Sequence, residues 1–356
     1  MGILVGTDEA GYGPNLGPLV VAATAWEVDE AGRRGQEAGS GRARRTASAP
    51  PQQASVALAP AARPNLDQAD LYQLLRPTVA RTPHEKRIGI ADSKLLYRPG
   101  LGLRQLERGL HSVLHVMQRP AACWSEIMDL CGADVNGHHR RLCWHDGFDC
   151  RLLIDAAADE LLRLGARMGR ACDAGGVRPL VVRARMVFPA EFNELVEHFG
   201  TKGAALSHIT VGLLREVMDG LQNGETLPAP VFAVCDKHGG RNFYTSLLQH
   251  HFSEHWIEPV FESHKDSRYA WGPEESRVSV SFRVGGERFL PTALASMTAK
   301  YLRELAMRAF NDFWRAHIPN LRPTAGYYGD SRRFKKDITA KQRELRIEDR
   351  ILWRSR

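Results

Sequence analysis

Two apolar segments at the start of the chain restrict its fold more than any other feature of the sequence. Residues 3–7 (ILVGT) and 18–26 (PLVVAATAW) have the composition of strands, and a turn rich in Gly and Pro separates them. A link of about ten residues is too short for the crossover that joins parallel strands. The two strands must therefore pair as an antiparallel hairpin.

The rest of the chain alternates between strand and helix patterns. Strands are expected at 86–90, 180–187, 230–235, 256–261 and 278–284, and helices at 101–118, 152–168, 189–198, 203–221, 241–252 and 291–314. Such alternation predicts an α/β domain, in which parallel strands join the antiparallel leading pair. We therefore expect a mixed sheet flanked by helices.

Two segments interrupt this pattern. Residues 29–66 are rich in Ala, Gly, Arg, Pro, Ser and Gln, a composition that predicts a disordered low-complexity insertion. Residues 119–178 predict an inserted helical subdomain that carries a cluster of cysteines and histidines. The remaining sequence divides into a main domain at 1–28, 67–118 and 179–330 and a basic C-terminal tail at 331–356.

Charge and cysteine content indicate the partners and the compartment. The net charge of +7 favours an acidic partner, and residues 331–356 carry ten basic against four acidic side chains. That tail could follow phosphates or form a solvated, solubilising helix. The start of the chain lacks the pattern of a secretory signal, and no apolar segment is long enough to span a bilayer, so we expect a cytoplasmic protein with no membrane partner.

The cysteines are expected to be reduced thiols. Four of the six lie between Cys123 and Cys150, where histidines are interleaved with them, but their spacing matches no usual structural zinc site. Zinc is therefore not expected at the Cys123–Cys150 cluster. The sequence indicates no protein partner and is compatible with a monomer.

Acidic residues stand where two apolar strands end. Asp8 and Glu9 follow the first strand, and Gly11 and Gly13 after them allow close approach of a ligand to the backbone. Asp236 ends the apolar segment 231–235. Carboxylates at such positions suit Mg²⁺, although Asp8 and Glu9 could also be a solvated turn pair and Asp236 a helix cap.

A further acid lies on the long helix expected at 291–314. Ser296, Lys300 and Glu304 recur every four residues and so share one face of that helix. Taken alone, this spacing favours a surface ion pair between Lys300 and Glu304.

Several motifs together resemble the ribonuclease HII and HIII branch of the ribonuclease H superfamily. Thr7–Pro14 with Gly17-Pro18 resembles the opening DEAGRGP…GP motif, and Asp92-Ser93-Lys94 resembles the DSK motif. The motifs that follow in order are the segment entering the central helix at 188–195, the strand ending at Asp236, the AAASILAKVTRD helix at 292–304 and the KGYG segment at 326–329. The resemblance implies a ribonuclease H-like mixed five-stranded sheet with antiparallel leading strands and parallel strands after them.

The resemblance also implies a function. Asp8, Glu9, Asp236 and Glu304 would be the catalytic and metal-binding carboxylates of a two-metal site for Mg²⁺ or Mn²⁺. The substrate would be an RNA–DNA hybrid, cut in its RNA strand to give 3′-hydroxyl and 5′-phosphate ends. The residues implied in substrate binding are Gly11, Tyr12, Gly13, Ser93, Lys94, Lys300 and Tyr328.

Three departures from the family pattern leave alternatives open. Tyr12 stands where ribonuclease HII has an Arg that helps recognise the ribose 2′-hydroxyl, and Glu304 stands in place of an Asp. Glu287 could supply the fourth acid if the helix register differs. The two insertions suggest a changed substrate or partner. The alternatives are therefore a superfamily nuclease without 2′-hydroxyl selectivity, acting on structured RNA or DNA, and a non-catalytic nucleic-acid-binding protein.

Overall fold

The computed structural model describes residues 1–29, 69–98, 100–222, 224 and 226–355. Its strands are β1 (Gly2–Ala10), β2 (Leu19–Val28), β3 (Val79–Ala80), β4 (Ile88–Gly89), β5 (Val177–Val187), β6 (Val231–Asp236), β7 (Glu258–Glu262), β8 (Asp266–Trp271) and β9 (Val278–Arg283). Its α-helices are α1 (Leu71–Leu74), α2 (Ser93–Leu96), α3 (Arg104–Val116), α4 (Trp124–Cys131), α5 (Ala158–Gly175), α6 (Pro189–Phe199), α7 (Lys202–Leu221), α8 (Thr245–His251), α9 (Leu290–His317), α10 (Tyr328–Glu344) and α11 (Asp349–Leu352). The insertion predicted at 29–66 lies, apart from Asp29, outside these described residues.

Seven strands form one sheet in the order β5-β2-β1-β6-β9-β8-β7. β1 pairs antiparallel with β2 and parallel with β6, which in turn pairs parallel with β9. The five strands in the order β5-β2-β1-β6-β9 confirm the expected mixed sheet, in which parallel strands follow the antiparallel leading pair. β8 and β7 extend this sheet by two antiparallel strands. β8 was not predicted, because its charged and short sequence DSRYAW gives little apolar signal.

Each face of the sheet has its own hydrophobic core. Successive side chains of a strand point to opposite faces, so Leu4 belongs to one core, whereas Ile3 and Val5 belong to the other. The Leu4 core includes apolar side chains of α3, α5 and α9, and the second core includes those of α7 and α8. Both faces of β1 are therefore covered, and its partly exposed residues, Asp8 and Glu9, lie near its carboxyl end.

The 28-residue helix α9 packs unusually close to β1. Gly6 makes this possible, since a Cβ there would lie 2.0 Å from the backbone nitrogen of Thr292. The Thr24 hydroxyl donates to the Pro291 carbonyl at 2.8 Å, and the Thr292 hydroxyl donates to the Val234 carbonyl at 2.9 Å. These contacts fix the start of α9 over β1, β2 and β6.

The segment 119–178, expected as an inserted helical subdomain, is largely helical. It contains α4, two short 3-10 helices (His138–Arg141 and Cys143–His145) and all of α5. Trp124 and Trp144 are buried in the same core as Leu4 of the sheet. The segment therefore packs on the main core, and its cysteines are free thiols.

The basic C-terminal tail forms helices rather than a frayed end. Phe334 and Ile338, one helical turn apart on α10, are fully buried, as is Leu352 on α11. The charge pattern of this segment did not reveal that one side of it packs against the core. Among the described residues, no helix is long and apolar enough to span a membrane.

Candidate active site

Three carboxylates meet at the ends of β1 and β6. The parallel register pairs Thr7 with Cys235, so the next residues, Asp8 and Asp236, lie side by side. Asp8 accepts a hydrogen bond from the backbone nitrogen of Glu9 at 2.8 Å, and Asp236 accepts one from the backbone nitrogen of Gly286 at 3.2 Å. The sheet register thus brings together the three acids that the sequence placed at strand ends.

These three acids repel one another in a partly buried setting. Burial raises the pKa of Asp8 well above its ordinary value, and the charges of Glu9 and Asp236 raise it further, against a hydrogen bond with Ser296. Burial and then Asp236 raise the pKa of Glu9 to about 7, and burial raises that of Asp236. The folded chain therefore holds negative charge here at a cost in free energy, which a bound cation would relieve.

Glu287 is the fourth acid beside this cluster. It lies on a 3-10 turn (Gly286–Arg288) directly after β9, and its charge contributes to the raised pKa of Asp236. The charge of Asp92, followed by those of Asp8, Asp236 and Glu287, raises the pKa of Lys94. The sequence alone gave Glu287 only as an alternative, because a single acid in a short turn has no periodic pattern. Its position shortly after the strand that neighbours β6 was the available signal.

Glu304 lies further along α9 than Ser296 and lines the same cleft as Glu9. Ser296 is the α9 residue that reaches Asp8, and Glu304 lies eight residues further along, about 12 Å at the usual rise of a helix. Its carboxylate accepts hydrogen bonds from Tyr97 at 2.8 Å and Lys300 at 2.5 Å. Glu304 therefore forms the Lys300 ion pair that the sequence left open, and it does so in the cleft that Glu9 also lines.

A cleft of about 930 Å³ opens above Glu9. Most of the predicted substrate-binding residues line this cleft, namely Gly11, Tyr12, Gly13, Ser93, Lys94 and Lys300. Glu304 lines it as well. The Lys94 side chain is 90% exposed, whereas the Lys300 ammonium packs 4.4 Å from the centre of the Tyr97 ring. The cleft thus combines the acids Glu9 and Glu304 with basic groups that can approach phosphates.

Buried arginines hold the loop that forms one wall of the cleft. Arg354 donates to the carbonyl oxygens of Gly11, at 2.5 Å, and Pro14. Arg303, itself buried, packs beneath Gly11, where a Cβ would lie 2.4 Å from its Nε atom. Gly11 also has a φ of +88°, so both its backbone angle and its neighbour require glycine. Neither arginine could be given this role from the sequence, because the motif at 292–304 does not show that Arg303 contacts Gly11, and Arg354 stands in no motif.

Two adjacent tyrosines occupy different positions. Tyr327 lines the cleft, and its ring lies near Gly13. Tyr328, the tyrosine predicted to bind substrate, begins α10 and contacts Arg332, whose guanidinium lies 5.7 Å from the centre of the tyrosine ring. Of these two tyrosines, Tyr327 is therefore the one that lines the cleft.

The donor set fits hard divalent cations. Asp8, Glu9, Asp236 and Glu287 offer only carboxylate oxygens, which Mg²⁺ and Mn²⁺ prefer. In the described part of the chain, no three of these oxygens come within 4.8 Å of one another. Any ion held here would complete its coordination with water or with oxygens of a substrate.

Comparison with known proteins gives structural likeness at low identity. No protein-family model matches the chain, and no curated protein matches it. The structure is similar to ribonuclease H2 from Pyrococcus horikoshii OT3, with 14% identity over 98% of this chain and 92% of the other and a TM-score of 0.40. It is also similar to ribonuclease HII of Archaeoglobus fulgidus, solved in complex with PCNA, with 14% identity over 99% and 94% of the two chains and a TM-score of 0.38.

A third similar structure is Bst-RNase HIII in complex with Mn²⁺. The identity is 11%, the alignment covers 99% of this chain and 65% of the other, and the TM-score is 0.37. These identities and TM-scores are low. The assignment of roles to particular residues therefore has to rest on the sequence motifs and on the geometry of the cleft.

Proposed function

We propose that this chain is a metal-dependent endonuclease of the ribonuclease HII and HIII type that cuts the RNA strand of RNA–DNA hybrids. The observation that carries the proposal is the cluster of Asp8, Glu9, Asp236 and Glu287 beside a cleft that Glu9 lines together with Lys94 and Lys300. The collinear motifs of the sequence support the same conclusion independently.

These four carboxylates are the proposed metal-binding residues. Glu287, the alternative that the sequence offered, takes the role of fourth acid instead of Glu304. Divalent cations bound there would supply an activated water and stabilise the departing 3′ oxygen of a phosphodiester. Asp236 is held in place by the Gly286 amide, and Asp8 by Ser296, so two of the four acids are positioned by neighbours before any ion binds.

The cleft walls are proposed to bind the nucleic-acid backbone. Lys94 and Lys300 would neutralise phosphate charge, and the backbone from Gly11 to Gly13 would approach the ribose. Tyr327 offers an exposed ring on which a base or sugar can stack. In this arrangement Glu304 orients Lys300 and Tyr97 rather than binding metal.

A second candidate function is nuclease activity without selectivity for the 2′-hydroxyl. Tyr12 occupies the position of the family's arginine, and its hydroxyl is directed toward Gly203 at the start of α7. A phenol offers one hydrogen-bonding group in place of the five N–H donors of a guanidinium. If Tyr12 does not contact the ribose, DNA or structured RNA would also be cut.

The test is cleavage of four matched labelled duplexes in Mg²⁺ or Mn²⁺. They are an RNA–DNA hybrid, DNA with a single ribonucleotide, double-stranded RNA and double-stranded DNA. Cleavage of the hybrid but not of DNA, lost in Asp236→Asn, is the expected result. Cleavage of DNA as well would favour the second candidate, and binding without cleavage by folded protein would indicate a non-catalytic nucleic-acid-binding protein.

Two further variants identify the fourth acid. Glu287→Gln should lower kcat by about 100-fold, which corresponds to about 2.7 kcal/mol of activation free energy. Glu304→Gln should lower it by less than about 10-fold, because it removes an ion pair and not a metal-binding oxygen. The opposite order would return Glu304 to the metal site.

A further inference from the structure

Three histidines come together on the face of the sheet that carries α7 and α8. His208 lies on α7, and His250 and His251 end α8. One ring nitrogen from each lies within 4.8 Å of the others. The ring centres form a nearly equilateral triangle, with separations of 5.3 Å (His208–His250), 5.2 Å (His208–His251) and 5.0 Å (His250–His251).

The spacing of the ring nitrogens suits a tetrahedral metal ion. Ligand nitrogens about 2.0–2.1 Å from a tetrahedral Zn²⁺ are about 3.3–3.4 Å apart. Nδ1 of His208 and Nε2 of His251 are 3.1 Å apart, so an ion could replace their hydrogen bond with little movement of either ring. His250 is exposed and His208 is only partly buried, which leaves a fourth position accessible to water.

The surroundings of His208 and His251 favour the neutral imidazole, which is the form that binds metals. Burial, followed by the charges of His250, Arg241 and His198, lowers the pKa of His208. Burial, with His208, His250 and Arg215, lowers that of His251 to about 4. Neutral imidazole suits Zn²⁺, Cu²⁺ and Ni²⁺, whereas Mg²⁺ prefers oxygen ligands.

Two arginines lie near the histidine cluster, and their positive charges repel a bound cation to different degrees. Arg215 is paired with Asp219 at 2.8 Å and with Glu254 at 2.5 Å, so its charge is largely balanced. Arg241 acts on His208 through its charge and would weaken binding. The ring of Phe199 stacks on His208 at 3.9 Å between centres and holds that imidazole in orientation.

We propose that His208, His250 and His251 form a binding site for a divalent transition-metal ion, with Zn²⁺ as its representative, separate from the carboxylate cleft. The bound ion links His208 of α7 to His250 of α8 across 41 residues of intervening sequence. Three imidazoles and one water complete a four-coordinate site.

The test uses the full chain, stripped of metal by a chelator and kept in excess Mg²⁺ to occupy oxygen ligands. Competition with a chromophoric chelator measures Zn²⁺ affinity, and the visible absorption of Co²⁺ reports four-coordinate geometry. We expect one tightly bound Zn²⁺ per chain and intense Co²⁺ bands, with Zn²⁺ also raising the Tm.

Four variants locate the ion. His250→Ala changes an exposed side chain and His208→Ala a partly buried one, and each should weaken Zn²⁺ binding by at least about 10-fold and remove the Co²⁺ bands. His264→Ala, an exposed histidine outside the cluster, and Asp236→Asn should leave both measurements unchanged. Circular dichroism verifies that each variant is folded. The proposal is overturned if folded wild-type protein binds no Zn²⁺, if His250→Ala binds it as tightly as wild type, or if Asp236→Asn alone abolishes binding.

Discussion

Replacing Glu9 with Gln should stabilise the metal-free protein at neutral and alkaline pH. The pKa of Glu9 rises from 4.5 to about 7 through burial and the neighbouring charge of Asp236. This difference corresponds to about 3 kcal/mol, since each pKa unit is worth about 1.36 kcal/mol. The neutral amide of Gln fits the same space and removes the repulsion.

The sign of the effect follows from proton binding. Below about pH 4.5, Glu9 is protonated in both the folded and the unfolded chain, and the two proteins should be equally stable. Between pH 4.5 and about 7 the folded chain retains the proton that the unfolded chain has lost, so the wild type loses stability as pH rises. The advantage of Glu9→Gln should therefore grow over this window and level off at about 3 kcal/mol above it.

Urea denaturation in EDTA at pH 4 to 8, followed by tryptophan fluorescence, measures this difference. Glu216→Gln, an exposed carboxylate on α7, controls for the loss of one negative charge. In excess Mg²⁺ above pH 7, the wild type should regain more stability than Glu9→Gln, because a cation binds the folded carboxylates. Equal stability of Glu9→Gln and wild type at every pH in EDTA would refute the electrostatic account of this cluster.

Four further substitutions test contacts around the cleft. Gly6→Ala should lower the free energy of unfolding by about 3 kcal/mol or more, because its methyl group would lie 2.0 Å from the Thr292 nitrogen; urea denaturation measures this. Tyr327→Ala should weaken binding of an RNA–DNA hybrid in Ca²⁺ by about 10-fold, and Tyr328→Ala by less than about threefold, in fluorescence anisotropy. Arg354→Met removes two hydrogen bonds to the cleft loop, so backbone amides at 11–15 should exchange at least about 10-fold faster, as mass spectrometry would detect.

Each of these has a result that would contradict it. A Gly6→Ala protein with the wild-type unfolding midpoint would mean that α9 does not contact β1 so closely. Equal effects of the two tyrosine substitutions would remove the distinction between them. Unchanged amide exchange in Arg354→Met would mean that other contacts hold the loop.

The sheet could be predicted because its strands and their first pairing are indicated by residues that are close together in the sequence. The short link between β1 and β2 leaves one pairing, and apolar segments that end on Asp8 and Asp236 mark adjacent strand ends. Helices α3, α7 and α9 fall within a few residues of their predicted bounds, since their apolar residues recur at helical spacing.

The rest of the candidate site depends on contacts between distant residues. Glu287 joins the acids through the pairing of β9 with β6, and no local pattern distinguishes it from other acids in turns. Glu304 shares the polar face of α9 with Ser296, but a repeat of four residues does not say which turn of the helix reaches Asp8. Arg354 and the cleft loop are separated by most of the chain, so their contact could not be inferred from spacing.

That last contact affects when the cleft can form during synthesis. Arg354 follows Gly11 by 343 residues and Pro14 by 340. At about 5–20 residues per second, roughly 20 to 70 s separate translation of the loop from that of the arginine that holds it. The strands and their acids can assemble before then, whereas the wall of the cleft is secured only afterwards. A growing chain would therefore carry its acidic cluster without a finished cleft, and the cleft wall would be complete only after Arg354 has been translated.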